Sequence, residues 1–153
     1  MTRRINIRLD ADAISSAISE IQTYRKEIED ATRSLIEELV KEGYQICHTR
    51  ILMCGALESG ELLDSIEGIY DPVSGKGIIK TDCKHAAFVE FGTGVFVEGE
   101  AKAKYGKAGW WYLDKKQGRR RWTQGMEPRP FMHETYMELM EKAQTMARLK
   151  YHG

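Results

Sequence analysis

The side chains best suited to bond-making chemistry are three cysteines and four histidines, and their spacing limits what they could do. Cys47 and His48 are adjacent and Cys54 follows, so soft ligands crowd there more than anywhere else. A closed zinc centre needs four such ligands, usually in close pairs. Cys83 stands far downstream, so the three thiols read as reduced and buried, with no metal and no cofactor expected. His85 and Glu90 could form an acid-base pair, but five residues apart on a strand they point to opposite faces. Ser74-Gly-Lys-Gly77 lacks the spaced glycines and the Lys-Ser/Thr pair that cradle phosphate, so it reads as a hairpin turn. No serine or cysteine occupies a Gly-x-Ser-x-Gly context, and no catalytic constellation emerges. The expectation is a protein that is not an enzyme.

One cluster invites a different chemistry. Arg119-Arg-Arg-Trp122 follows Trp110, Trp111 and Tyr112, combining cations that neutralise phosphate with rings on which bases stack. Nucleic-acid binding by the segment 110–122 is therefore one reading, although hairpin aromatics more often pack into a core or a subunit interface and arginines more often contact a partner's acids. Charge favours the interface. Formal net charge is zero, yet Asp10 to Glu67 holds 13 acids against 5 bases, while Gly99 to Trp122 holds 8 bases against 2 acids. Such a split suits identical subunits meeting acidic face to basic face in a ring. Lys102, Lys104, Lys107, Arg119, Arg120, Arg121 and Trp122 are the candidate subunit-interface residues.

These groups must be positioned by a chain of 153 residues, one domain's length, with 42% hydrophobic and 30% charged residues. No run of about 18 apolar residues occurs, and the N-terminus has no apolar signal core, so neither membrane spanning nor secretion is expected. Residues 11–42 lack Gly and Pro and carry Ile14, Ile21, Ile28 and Leu35 at seven-residue spacing, with Ile18 and Leu39 between turns. That pattern predicts a long amphipathic helix. Arg25 and Thr32 interrupt the stripe where a coiled coil wants Leu, which favours packing on a sheet. Gly43 is placed to end or bend this helix, with residues 44–53 as a kinked extension or second helix.

After a turn at residues 56–60, Leu62, Leu63 and Ile66 lead into a strand at 65–70, which should pair with a second at 78–81. Residues 84–91 fit either a buried strand or a short helix, stopped by Gly92 and Gly94. Residues 95–109 read as an exposed mobile loop, 110–123 as a second hairpin with aromatic cross-strand pairs, and 125–130 as extended chain. Phe131 to Leu149 predicts a final helix with a Met-rich face of Met132, Tyr136, Leu139, Met140, Ala143 and Met146. The predicted class is α+β: long N-terminal and C-terminal helices packed on a small antiparallel β-sheet, in a single domain.

Three segments recur in a telling order after the long helix: Ser59-Gly-Glu-Leu-Leu-Asp-Ser-Ile66, His85-Ala-Ala-Phe-Val-Glu-Phe-Gly-Thr-Gly94 and Pro128-Arg-Pro-Phe-Met132. This order resembles the tail-component family of siphophages, the minor tail protein Z-like neck proteins, over residues 10–149. The matching positions are Gly60, Leu62, Ser65 and Ile66, then Phe88, Val89, Glu90, Phe91, Gly92, Thr93 and Gly94, then Pro130 and Phe131. Two departures stand out: Leu57-Glu-Ser59 replaces the family's usual Pro and Thr before the first Gly, and His85 stands where an aromatic is common. The resemblance implies a ring-forming subunit of the virion, made in the bacterial host cytoplasm. It would join head to tail or complete the tail, with connector and tail proteins as partners and no catalytic residues. Physically, Glu90 suits a strand edge or a capped turn where a carboxylate accepts backbone N–H groups, while Gly92 and Gly94 permit positive φ and close backbone approach.

Overall fold

The computed structural model describes residues 10–55, 60–97, 102, 107–114 and 117–152. Helix α1 (Ala11–Met53) runs 43 residues without interruption, started by the Asp10 carboxylate, which accepts a 2.8 Å hydrogen bond from Ala13 N. Gly43 does not end the helix. It lies buried where Ile79 and the Leu139 Cδ2 atom close on the space a Cβ would occupy, so its lack of a side chain serves packing. The chain leaves the helix at Cys54, whose N–H returns to the Arg50 carbonyl, and turns at Gly55 with φ of 66°.

The approach to the first strand is helical. Leu62 belongs to the one-turn helix α2 (Glu61–Asp64), entered through Gly60 at φ 75° and closed by Ser65 N donating to the Glu61 carbonyl. Strands β1 (Ile66–Asp71) and β2 (Lys76–Thr81) then pair antiparallel, with Ile66 opposite Thr81 and Asp71 opposite Lys76. Asp71 closes their turn by accepting from Ser74 Oγ and Val73 N, and these bonds hold its carboxyl below its usual range. The hairpin lies across α1 at Ile36, Val40 and Tyr44. Residues 86–91 resolve as a helix, α3 (Ala86–Phe91), with Ala86 and Val89 turned into the core.

The predicted single sheet is two separate hairpins among the described residues. The second, β3 (Trp110–Asp114) with β4 (Arg119–Thr123), continues from the chain around Thr93 instead of from β2: Val95 N donates to the Gln124 carbonyl, and Thr93 and Met126 exchange backbone bonds. The segment read as an exposed loop from residue 95 begins as a 3-10 turn (Gly94–Phe96), and Val97 is buried. Residues 98–101 and 103–106 of that loop lie outside the described residues, as do most of the turn at 56–60 and Lys104.

Helix α4 (Phe131–His152) returns antiparallel along α1. Its residues meet α1 in descending order: Glu134 and Glu138 at Arg50, Lys142 at Glu42, Lys150 at Glu38 and Tyr151 at Thr32. Met132, Leu139, Ala143 and Met146 are half-buried along this seam, whereas Tyr136 and Met140 are exposed. The core gathers at the other end, where Cys47 and Ile51 of α1 pack with Leu62, Ile66, Cys83, Ala86, Val89 and Phe131. The molecule is α+β, with two long helices and two small antiparallel hairpins. The α4 contacts traced along α1 end at Thr32; before that point Ala17 is buried, while the larger apolar side chains of the stripe are open. Ile14, Ile18 and Ile21 are 44%, 52% and 52% exposed, and Ile28 is also open, whereas the β1–β2 hairpin meets α1 further on, at Ile36, Val40 and Tyr44.

Candidate functional site

The three motif segments converge on the start of α4. A helix begins with backbone N–H groups that lack intrahelical partners, and a side chain on the preceding residue normally satisfies them. Here that residue is Pro130, which has no acceptor to offer. Glu90 of α3, 42 residues upstream of Met132, supplies the cap instead: its two carboxylate oxygens accept from Met132 N at 2.9 Å and His133 N at 3.0 Å. Arg129 N donates to the Val89 carbonyl at 2.8 Å, which pins the approach. A carboxylate is the apt group here, since the helix N-terminus carries partial positive charge. Glu90 sits on a short helix that His85 caps, not on a strand, and Glu90 faces the α4 amides.

Gly92 and Gly94 hold this joint closed. Both take positive φ, 71° and 69°, and a Cβ on Gly94 would overlap the Gln124 carbonyl oxygen, while one on Gly92 would meet Met126 O at 2.7 Å. Thr93 between them accepts from Met126 N through its hydroxyl at 2.9 Å. Phe88 and Phe91 remain exposed beside the joint. Thus Gly60, Leu62, Ser65 and Ile66 line the approach to β1, and Val89 and Phe131 enter the same core cluster as Leu62 and Ile66.

The basic hairpin is open to solvent. Trp111 and Trp122 stand opposite each other in register and meet edge to face at 5.6 Å, yet they are 64% and 50% exposed. Arg121 contacts Asp114 at 3.3 Å and Arg119 contacts Gln117 at 2.9 Å, both within the hairpin. Arg119, Arg120, Arg121, Lys102 and Lys107 are all exposed. The acidic surplus of α1 is partly absorbed inside the chain, which sequence alone did not reveal. Glu38 binds Lys150 at 2.6 Å and Glu42 binds Lys142, while in the opposite sense the α1 base Arg50 donates to Glu138 of α4 at 2.8 Å. Arg50 and then Lys142 hold the Glu138 carboxyl below its usual range. Between Ala11 and Thr32, α1 carries Asp12, Glu20, Glu27, Glu29 and Asp30 against Arg25 and Lys26, with Arg25 paired to Glu29 at 2.7 Å.

Cys47 is fully buried, and burial pushes its thiol up to about 11. The crowding of Cys47, His48 and Cys54 spreads along one helix, where seven residues span roughly 10 Å. A different grouping forms: among the described residues, Glu61, Cys83 and His85 bring three ligand atoms together. Cys83-Lys84-His85 was the available signal, and Glu61 joins it only through the fold. No described helix is long and apolar enough to cross a membrane. No protein-family model, curated protein or solved structure matches the chain.

Proposed function

We propose that this chain is a structural, non-enzymatic subunit of a tailed phage or prophage virion, acting as one member of a ring at the head-tail joint or tail end. The observation that carries this reading is a pair of unlike surfaces on one chain. The early part of α1 offers Ile14, Ile18, Ile21 and Ile28 among acids, and the hairpin offers Trp111, Leu113 and Trp122 among arginines. Two different patches of opposite charge favour heterologous contact, in which each copy uses one patch on each neighbour, and closure of that contact gives a ring. The ordered motif supports the family side of the reading. Its partners would be connector and tail proteins, with no cofactor.

Native mass spectrometry and light scattering at low salt test the ring. Association is expected in the wild type and should be lost both in the Arg119→Glu, Arg120→Glu, Arg121→Glu triple variant and in Ile18→Glu, Ile21→Glu. A monomer at every concentration and salt, or assembly unchanged in both variants, refutes self-association. The exposed Trp111–Trp122 pair beside arginines also favours a second reading, binding of single-stranded nucleic acid. A gel shift separates the two, because the isoleucine variant disrupts a ring yet leaves nucleic-acid binding intact.

A further inference from the structure

Three side chains of different kind meet where α2 faces the turn between β2 and α3. Glu61 opens α2, Cys83 lies in the turn after β2, and His85 immediately precedes α3. One ligand atom from each lies within 4.8 Å of the other two, and Cys83 Sγ is 3.3 Å from the His85 ring nitrogens. We propose that Glu61, Cys83 and His85 bind a divalent transition metal, zinc by the chemistry of the set. The site is independent of the assembly reading.

The ligand types select the metal class. Thiolate and imidazole are soft and borderline donors that favour zinc and its neighbours over calcium or magnesium, which take oxygen ligands. The spacing is close to what coordination needs. Bond lengths of about 2.3 Å to sulfur and about 2.0–2.1 Å to nitrogen set tetrahedral ligands roughly 3.5 Å apart. Glu61 stands at the exposed edge of the cluster, while Cys83 is buried and His85 half-buried. That gradient gives the site an apolar floor and an opening to solvent, where water fills the fourth position.

The backbone around the ligands is already held. Cys83 N donates to Thr81 Oγ1 at 3.1 Å, and the Thr81 hydroxyl meets Ser65 Oγ at 2.6 Å. Ser65 ends the helix that carries Glu61, so this chain of bonds fixes both sides of the site relative to each other. The Cys83 carbonyl accepts from Ala86 N at 3.0 Å, setting the turn that presents His85. On binding, the Cys83 thiol releases its proton to solvent and its sulfur donates an electron pair to the metal, with no change in oxidation state. Bound metal would tie α2 to α3 and so stabilise the core end of the molecule by mass action.

Cobalt(II) titration of the full chain, followed by zinc competition against a chromogenic chelator, tests this. One equivalent of cobalt should give a thiolate-to-cobalt charge-transfer band that zinc abolishes, and zinc should raise the melting temperature. Cys83→Ser should remove the band. His85→Ala and Glu61→Gln, at less buried positions, should each weaken zinc by at least the roughly 10–100-fold that outer-shell changes typically cost. Cys54→Ser should leave binding unchanged. Circular dichroism confirms folding of each variant. Absence of the band in the wild type, its survival in Cys83→Ser, or unaltered zinc affinity in both His85→Ala and Glu61→Gln overturns the proposal.

Discussion

Replacing Glu90 tests whether the joint between α3 and α4 is held as its geometry indicates. The carboxylate accepts from Met132 N at 2.9 Å and His133 N at 3.0 Å, and Pro130 provides no substitute. In Glu90→Ala the loss of a helix cap costs about 1 kcal/mol. His133 N is exposed and recovers a bond to water, but Met132 N is part-buried, and stranding it adds at least about 1 kcal/mol. The total is about 2 kcal/mol, or a melting temperature roughly 4–8 °C lower for a chain of this size. Helix propensity does not explain such a loss, since Ala is the better helix former. Glu90→Gln keeps one acceptor oxygen for Met132 N and loses the favourable charge at the helix N-terminus, so it should cost about 1 kcal/mol. Thermal and urea unfolding followed by far-ultraviolet circular dichroism would measure both. A loss below about 0.5 kcal/mol in Glu90→Ala, or equal losses in the two variants, would refute the capping argument.

Further expectations follow from the same contacts. Gly94→Ala should cost at least about 3 kcal/mol, from positive φ and overlap with the Gln124 carbonyl, whereas Gly75→Ala, with φ 65° and nothing near its Cβ, should cost about 1 kcal/mol; urea midpoints decide. Raising the Cys47 thiol from 9.0 to about 11 cuts its thiolate fraction at a mildly alkaline pH about a hundredfold, so mass spectrometry should find Cys54 alkylated first. Equal labelling of the two would contradict its burial. Glu138 is held below 4.5 by Arg50 and Lys142, and Glu38 is held below 4.5 by Lys150. Depressed carboxyls add stability that is complete above pH 4.5 and is lost as pH falls through their folded values. Melting temperature should therefore drop on acidification below that point, and Glu138→Gln should flatten the drop.

Local signals carried much of the fold. The lack of Gly and Pro from residue 11 to 42, the turn residues at 71–77 and the prolines before Phe131 marked the two long helices and the first hairpin. What escaped depended on partners distant in sequence. Gly43 reads as a helix breaker, and only contact with Ile79 and Leu139 shows why the helix continues. Leu62 and Leu63 read only as the lead into a strand because an apolar pair carries no period, while the positive φ at Gly60 opens a helical turn there. The site was legible as types and illegible as pairings. Glu90 was recognisable as an acceptor of backbone N–H groups, but its donors lie 42 residues away. Cys83 and His85 are neighbours in sequence, whereas Glu61 reaches them through the chain reversal of the β1–β2 hairpin.

The exposed isoleucines of α1 also dictate what kind of surface they refuse. If two copies laid their stripes together in parallel register, Arg25 would face Arg25 and Thr32 would face Thr32 at positions that demand apolar knobs. The neighbouring carboxylates of Glu20, Glu27 and Asp30 would be crowded against their own kind. Helix-to-helix zippering in that register is thereby discouraged. In the proposed ring, the stripe would discriminate by sign, repelling its twin and accepting a basic surface.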